Sequence, residues 1–124
     1  MSKILLVEDD RFLIKAVYTK LTQKGFEVVL ANDGDEAISK AKTEKPELVL
    51  LDMVLPKKSG FEVLQELKED STTKNIPIIV LTNLEGSEDV ERALANGATT
   101  YLVKANYSAH DVASKIKQVL DNHS

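Results

Sequence analysis

Glu8, Asp9 and Asp10 stand in a row directly after the apolar run Ile4–Val7. Asp52, Thr82 and Lys104 each follow the last apolar residue of another run. Carboxylates brought close together repel, and at least one is driven to keep a proton unless a cation compensates. A cluster of oxygen donors without His or Cys suits a hard ion, Mg²⁺ or Mn²⁺. Magnesium typically takes one or two carboxylates and keeps several waters, which leaves a place for a phosphate oxygen. An ammonium from Lys104 and a hydroxyl from Thr82 facing the same point would complete a phosphoryl-transfer site, with a carboxylate as candidate nucleophile.

Each member says less alone. A single acid at a strand end is ordinarily a solvated loop residue, Thr82 alone reads as a helix cap, and Lys104 alone as a surface lysine. What points to chemistry is their joint occurrence past four separate runs.

The elements that must position them are legible as five short apolar runs: Ile4–Val7, Val28–Leu30, Leu48–Leu51, Ile76–Leu81 and Tyr101–Val103. Continuous apolar runs of this length suit strands buried on both faces, as in parallel sheets. Between them the spacing is helical: Leu13, Val17 and Leu21; Ala37, Ile38 and Ala41; Phe61, Leu64 and Leu67; and Val112, Ala113, Ile116, Val119 and Leu120. Gly25 reads as a left-handed helix end, Asn32–Asp33–Gly34 as a turn, and Asn96–Gly97 as the close of a helix through Leu94. Pro46 and Pro77 mark the entries to the third and fourth runs. Strand and helix alternate five times without a linker or repeat. This predicts a single doubly wound α/β domain over residues 1–124, with a parallel sheet covered on both faces. In such folds ligands bind beyond the carboxyl ends of the strands, where strand order reverses. The second run ends in nothing obviously chemical, so it is placed at the sheet edge.

Composition narrows the function classes. The 124 residues have 43% hydrophobic and 29% charged content, as in ordinary globular domains. Without cysteine there is no disulfide, zinc–thiolate site or cysteine nucleophile, and the histidines, His110 and His123, are too few for a histidine-built metal site. The net charge is −4, and Lys57–Lys58 is the only adjacent basic pair, read as a solvated loop. Direct nucleic-acid binding is therefore not expected. No apolar run has the length of a membrane span or a signal peptide, so the cytoplasm is the expected compartment.

These residues resemble the receiver domains of two-component response regulators. The likeness rests on VEDD (Val7–Asp10), LLDMVLPKKSG (Leu50–Gly60), IIVLTN (Ile78–Asn83) and YLVKA (Tyr101–Ala105), and covers essentially the whole chain. It implies a flavodoxin-like fold with five helices around five strands in the order 2-1-3-4-5. It further implies that Asp52 is the phosphoacceptor and that Glu8 and Asp9 hold Mg²⁺, Asp9 the more directly, together with Asp52 and the Val54 backbone carbonyl. Thr82 matches the switch hydroxyl, Tyr101 the switch aromatic, and Lys104 the phosphate-binding lysine. Asp10, one past the acidic pair, reads mainly as the N-cap of the first helix. The implied activity is transfer from a histidine kinase or phosphotransfer protein onto Asp52. A shape change in the face of the fourth helix, fifth strand and fifth helix then alters the binding of a downstream protein. Such a domain catalyses only its own phosphorylation and dephosphorylation. Two alternatives stand beside this reading. A phosphatase of the haloacid dehalogenase type would want an acid where Val54 stands. A receiver fold that binds partners without phosphorylation would not need the acids, Thr82 and Lys104.

The sequence departs from the family pattern at two positions. Asn83 follows Thr82 where a small residue is usual, and Ala105 follows Lys104 in place of a cis-bonded proline. A cis Lys104–Ala105 bond would cost ~2.5–4 kcal/mol, so a trans bond with a shifted loop and a looser Lys104 is expected. Val54 and Leu84, both apolar, are expected to flank the phosphoryl group, exclude water and prolong its life. With no segment for an output domain after Ser124, a stand-alone receiver is expected.

Overall fold

Within each central strand the apolar side chains alternate between two layers. Leu5, Val7, Val49, Leu51, Ile78 and Val80 enter one buried cluster. Their neighbours Ile4, Leu6, Leu48, Leu50, Ile79 and Leu81 enter another. Two apolar layers on one sheet are what made the strand sequences continuous rather than alternating. The computed structural model describes residues 2–123. The elements run β1 (Lys3–Val7), α1 (Arg11–Gln23), β2 (Glu27–Ala31), α2 (Gly34–Glu44), β3 (Leu48–Leu51), α3 (Gly60–Glu69), β4 (Ile78–Thr82), α4 (Ser87–Ala95), β5 (Thr100–Val103) and α5 (Ala109–His123). The strands are parallel in the order β2-β1-β3-β4-β5, so β2 lies at an edge as expected. Val17 and Leu21 of α1 and Val112, Ala113 and Ile116 of α5 fill one layer. Ala37, Ala41, Phe61, Leu64, Leu67 and Ala93, from α2, α3 and α4, fill the other.

Helix starts and stops follow local chemistry. Asp10 caps α1, its Oδ1 accepting from the Phe12 and Leu13 amides at 3.0 and 3.3 Å. The same helix ends in a left-handed Gly25, φ 92°, with Phe26 N–H donating to Leu21 O and Gly25 N–H to Thr22 O. Ser59 and Glu62 form a capping box at α3. Gly34, read as a turn residue, is instead the first residue of α2, with Asp33 as its cap. The fourth apolar run was also read too long: Ile76 lies before the strand, its N–H donating to Thr73 O in a turn.

Register decides what meets at the rim. Val7 pairs with Leu51, which places Glu8 and Asp52 side by side one residue further on. Leu51 pairs with Val80, and Thr82 with Val103, so Thr82 and then Lys104 close the same end.

Candidate functional site

Glu8, Asp9, Asp10, Asp52, Val54, Thr82, Asn83 and Lys104 line one cleft of about 270 Å³ at the carboxyl ends of the strands. Lys104 is its hub. Its Nζ donates to Asp52 Oδ2 at 2.9 Å and lies 3.0 and 3.1 Å from the two oxygens of Glu8. Glu8 also accepts from the Asp9 and Asp10 amides, and Asp52 Oδ1 from the Val54 amide at 3.2 Å. Glu8 and Asp52 are buried while Asp9 is exposed.

This packing perturbs the charges. Burial, and then the charge of Asp52, push the Glu8 carboxyl up from 4.5 to about 7, against the opposing pull of Lys104. Burial draws the Lys104 ammonium downward, but its bonds to Asp52 and Glu8, with their charges, more than offset this and leave it above the ordinary lysine value.

The donor set fits a hard divalent ion. Glu8, Asp9 and Asp52 each offer a carboxylate oxygen, and these lie within 4.8 Å of one another. Thr82 Oγ1 is fully buried and has no hydrogen-bond partner among the described residues. An unsatisfied buried hydroxyl costs ~1–3 kcal/mol. An oxygen-rich group entering the cleft is what would satisfy it.

Other expected residues fall as follows. Tyr101 is half-buried and packed against the buried cluster, and its hydroxyl donates to the Leu84 carbonyl at 2.9 Å. Val54 is 59% exposed at the cleft. Leu84, expected beside it, packs instead against the buried cluster under α3 and α4 and is not among the cleft's lining residues. No peptide bond is cis among the described residues, and residues 104–106 make a single 3-10 turn. The looser lysine expected from Ala105 is not observed, because two carboxylates hold Lys104 from the other end. Lys58, read as solvated, pairs with Glu66 at 2.9 Å.

One contributor stood in the sequence only as the last residue of the Leu50–Gly60 motif, with no role read for it. A Cβ on Gly60 would sit 2.2 Å from the Asp52 carbonyl oxygen and 2.4 Å from Met53 Cα. Only glycine lets α3 start this close to the acidic strand end, while the Gly60 N–H donates to Met53 O at 2.8 Å. The signal was present as a glycine directly after the helix-capping Ser59.

Comparison with known proteins agrees with this geometry. A family model described as the response regulator receiver domain matches residues 4–117. The alkaline phosphatase synthesis transcriptional regulatory protein PhoP of Bacillus subtilis is 36% identical over 118 residues, which are 95% of this chain and 48% of that protein. The chain thus spans about half the length of that relative. A CheY-like receiver domain protein from Methanospirillum hungatei superposes with a TM-score of 0.91 at 28% identity, covering 99% of this chain and 96% of the other. The Mn²⁺-bound form of response regulator Rcp1 gives a TM-score of 0.82 at 31% identity, covering 96% and 91%.

Proposed function

Because the chain belongs to the response regulator receiver domain family, we propose that it accepts a phosphoryl group on Asp52 from a histidine kinase or phosphotransfer protein and thereby controls the binding of a protein target. Receiver domains are signalling domains of two-component systems rather than enzymes acting on a separate substrate. The reading rests above all on Glu8, Asp9, Asp52, Thr82 and Lys104 surrounding one cleft.

Asp9, Asp52 and the Val54 carbonyl are the groups that would hold Mg²⁺, or Mn²⁺ in its place, with Glu8 beside them. Bound there, the ion supplies neutralisation of the charge on the transferring oxygens. A carboxylate oxygen of Asp52 attacks phosphorus in line, forming an O–P bond as the P–N bond to the donor imidazole breaks. The leaving nitrogen keeps the bonding pair. Lys104, 2.9 Å from Asp52, turns its ammonium to a phosphoryl oxygen and remains paired with Glu8. The unpartnered Thr82 hydroxyl donates to another phosphoryl oxygen. That movement draws on the loop after β4, to which Tyr101 is tied through Leu84 O. The face of α4, β5 and α5 changes shape, and the partner reads it. Val54 at the cleft mouth shields the acyl phosphate from water. Among the described residues, no helix is long and apolar enough to cross a membrane.

The test is incubation with acetyl phosphate and Mg²⁺, read by intact mass. Uptake of one phosphoryl group per chain, abolished by Asp52→Asn, is expected. No uptake, with partner binding unaffected by Asp52→Asn, would support the phosphorylation-independent alternative.

A further inference from the structure

The loop between β3 and α3 carries Val54 at its start, and its far side is seated on the N-terminus of α2, an element with no residue in the acidic cleft. Gly34 N–H donates to Pro56 O at 3.3 Å. A Cβ on Gly34 would lie 2.5 Å from Lys58 Cβ and 2.6 Å from Lys58 O. Lys57 holds a left-handed backbone, φ 69°, and its Nζ lies 3.6 Å from Asp33 Oδ2. Lys58 Nζ reaches Asp35 at 3.9 Å and Glu66 at 2.9 Å, bridging α2 to α3.

The seat itself is firm. Asp33 Oδ1 accepts from the Glu36 amide at 2.8 Å, and Glu36 Oε1 accepts from the Asn32 amide at 2.9 Å. Gly60, two residues past Lys58, is packed back against the Asp52 carbonyl and Met53 Cα at the start of the loop. The backbone from Met53 to Pro56 is therefore held by Gly60 at one end and by Gly34 at the other, and neither glycine admits a side chain. Val54 lies between those two contacts, one residue after Met53 and two before Pro56.

We infer that Gly34 is a positioning residue for the metal site: its missing side chain lets the Leu55–Ser59 loop lie on α2, and this sets where the Val54 carbonyl points. Gly34 touches neither the cleft nor its carboxylates and acts only through the loop. With a methyl group there, the loop must lift off α2, and the carbonyl moves with it. The inference rests on the Mg²⁺ reading proposed above.

Calorimetric titration with MgCl₂ tests it. Gly34→Ala is expected to weaken Mg²⁺ binding about tenfold or more, the range seen when groups supporting metal ligands are lost. Ala41→Gly, in the same helix and buried away from the loop, lowers stability and is expected to leave the Mg²⁺ constant within about twofold, as a distant independent site should. That contrast separates positioning from general weakening of α2. Should Gly34→Ala not fold, Pro56→Gly decides. It is exposed, changes no charge and loosens the loop from its own side. Affinity weakened about tenfold or more is then expected, on the same scale of supporting-group effects. A Mg²⁺ constant unchanged from wild type in the variant that decides would overturn the inference. If the wild-type chain binds no Mg²⁺ and takes up no phosphoryl group, it is the proposed function that fails instead.

Discussion

α3 and α4 occupy equivalent places in the fold. Each follows a strand whose end carries a site residue, Asp52 before the one and Thr82 before the other. They are held very differently. α3 starts with a capping box, packs Gly60 against the Asp52 carbonyl, and buries Phe61, Val63, Leu64 and Leu67. α4 starts at Gly86 without a side-chain cap, and Ala93 is its one buried residue among those described. Its contact with α3 includes the Arg92 guanidinium 4.2 Å from the Phe61 ring centre. Leu94 is 46% exposed. Few buried contacts and an uncapped start mark a segment that opens at low cost. Under the proposed function, the difference gives the two halves of the site different tasks. The half bearing Asp52 is built to hold still, whereas the half bearing Thr82 can be moved by what happens there.

The harshest way to break this contrast is to add one methyl group to each side. Gly60→Ala forces backbone to give way at 2.2 Å and is expected to cost about 3 kcal/mol or more, measured by urea unfolding. Gly86→Ala meets nothing closer than Asp89 Oδ2 at 3.5 Å, so its expected cost is about 1 kcal/mol, that of alanine in place of glycine at a helix N-cap. Equal costs at the two positions would remove the basis of the comparison.

A smaller effect comes from pH. The folded Glu8 carboxyl, raised to about 7 from 4.5 mainly by burial, favours folding only while protonated. Its contribution is complete below 4.5 and is lost as pH rises through about 7. The urea midpoint of the metal-free protein is therefore expected to fall across that window. Glu8→Gln should flatten the fall, and Mg²⁺ should restore the midpoint at the alkaline end. A metal-free midpoint that rises across the window would contradict the assignment.

The smallest effect sharpens the other side. Gly86→Ser supplies the side-chain cap α4 lacks and is expected to stabilise that helix by roughly 0.3 kcal/mol, since glycine is already a fair N-cap. The measurement is hydrogen exchange, in which residues 90–95 should slow while α3 does not change.

How much of this was legible beforehand depended on the kind of interaction. The strands followed from apolar runs, because two-sided burial leaves a mark on every residue of a strand. The edge place of β2 followed from its chemically empty end, and the full order only from the family resemblance. The Asp10 cap and the Gly25 helix end are local in the chain and equally visible. Contacts between distant loops were not. Gly34 looked like a turn residue, since nothing in Asn32–Asp33–Gly34 announces that Lys58 lies 2.5 Å from where its Cβ would be. Lys58 looked solvated because its partners, Asp35 and Glu66, are remote in sequence. Val54 and Leu84 hold matching positions after Asp52 and Thr82, yet only Val54 reaches the cleft. The loop after β4 instead packs the Leu84 side chain against the buried cluster and offers its carbonyl to Tyr101, an arrangement no spacing rule encodes.

The division of labour between the two halves is tested most directly by hydrogen exchange with and without a phosphoryl group, or beryllofluoride as its stable mimic, both in Mg²⁺. The account predicts that the largest change falls in residues 83–95 and 101–105, with little change in residues 60–69. A change as large in α3 as in α4, or none in either, would contradict it.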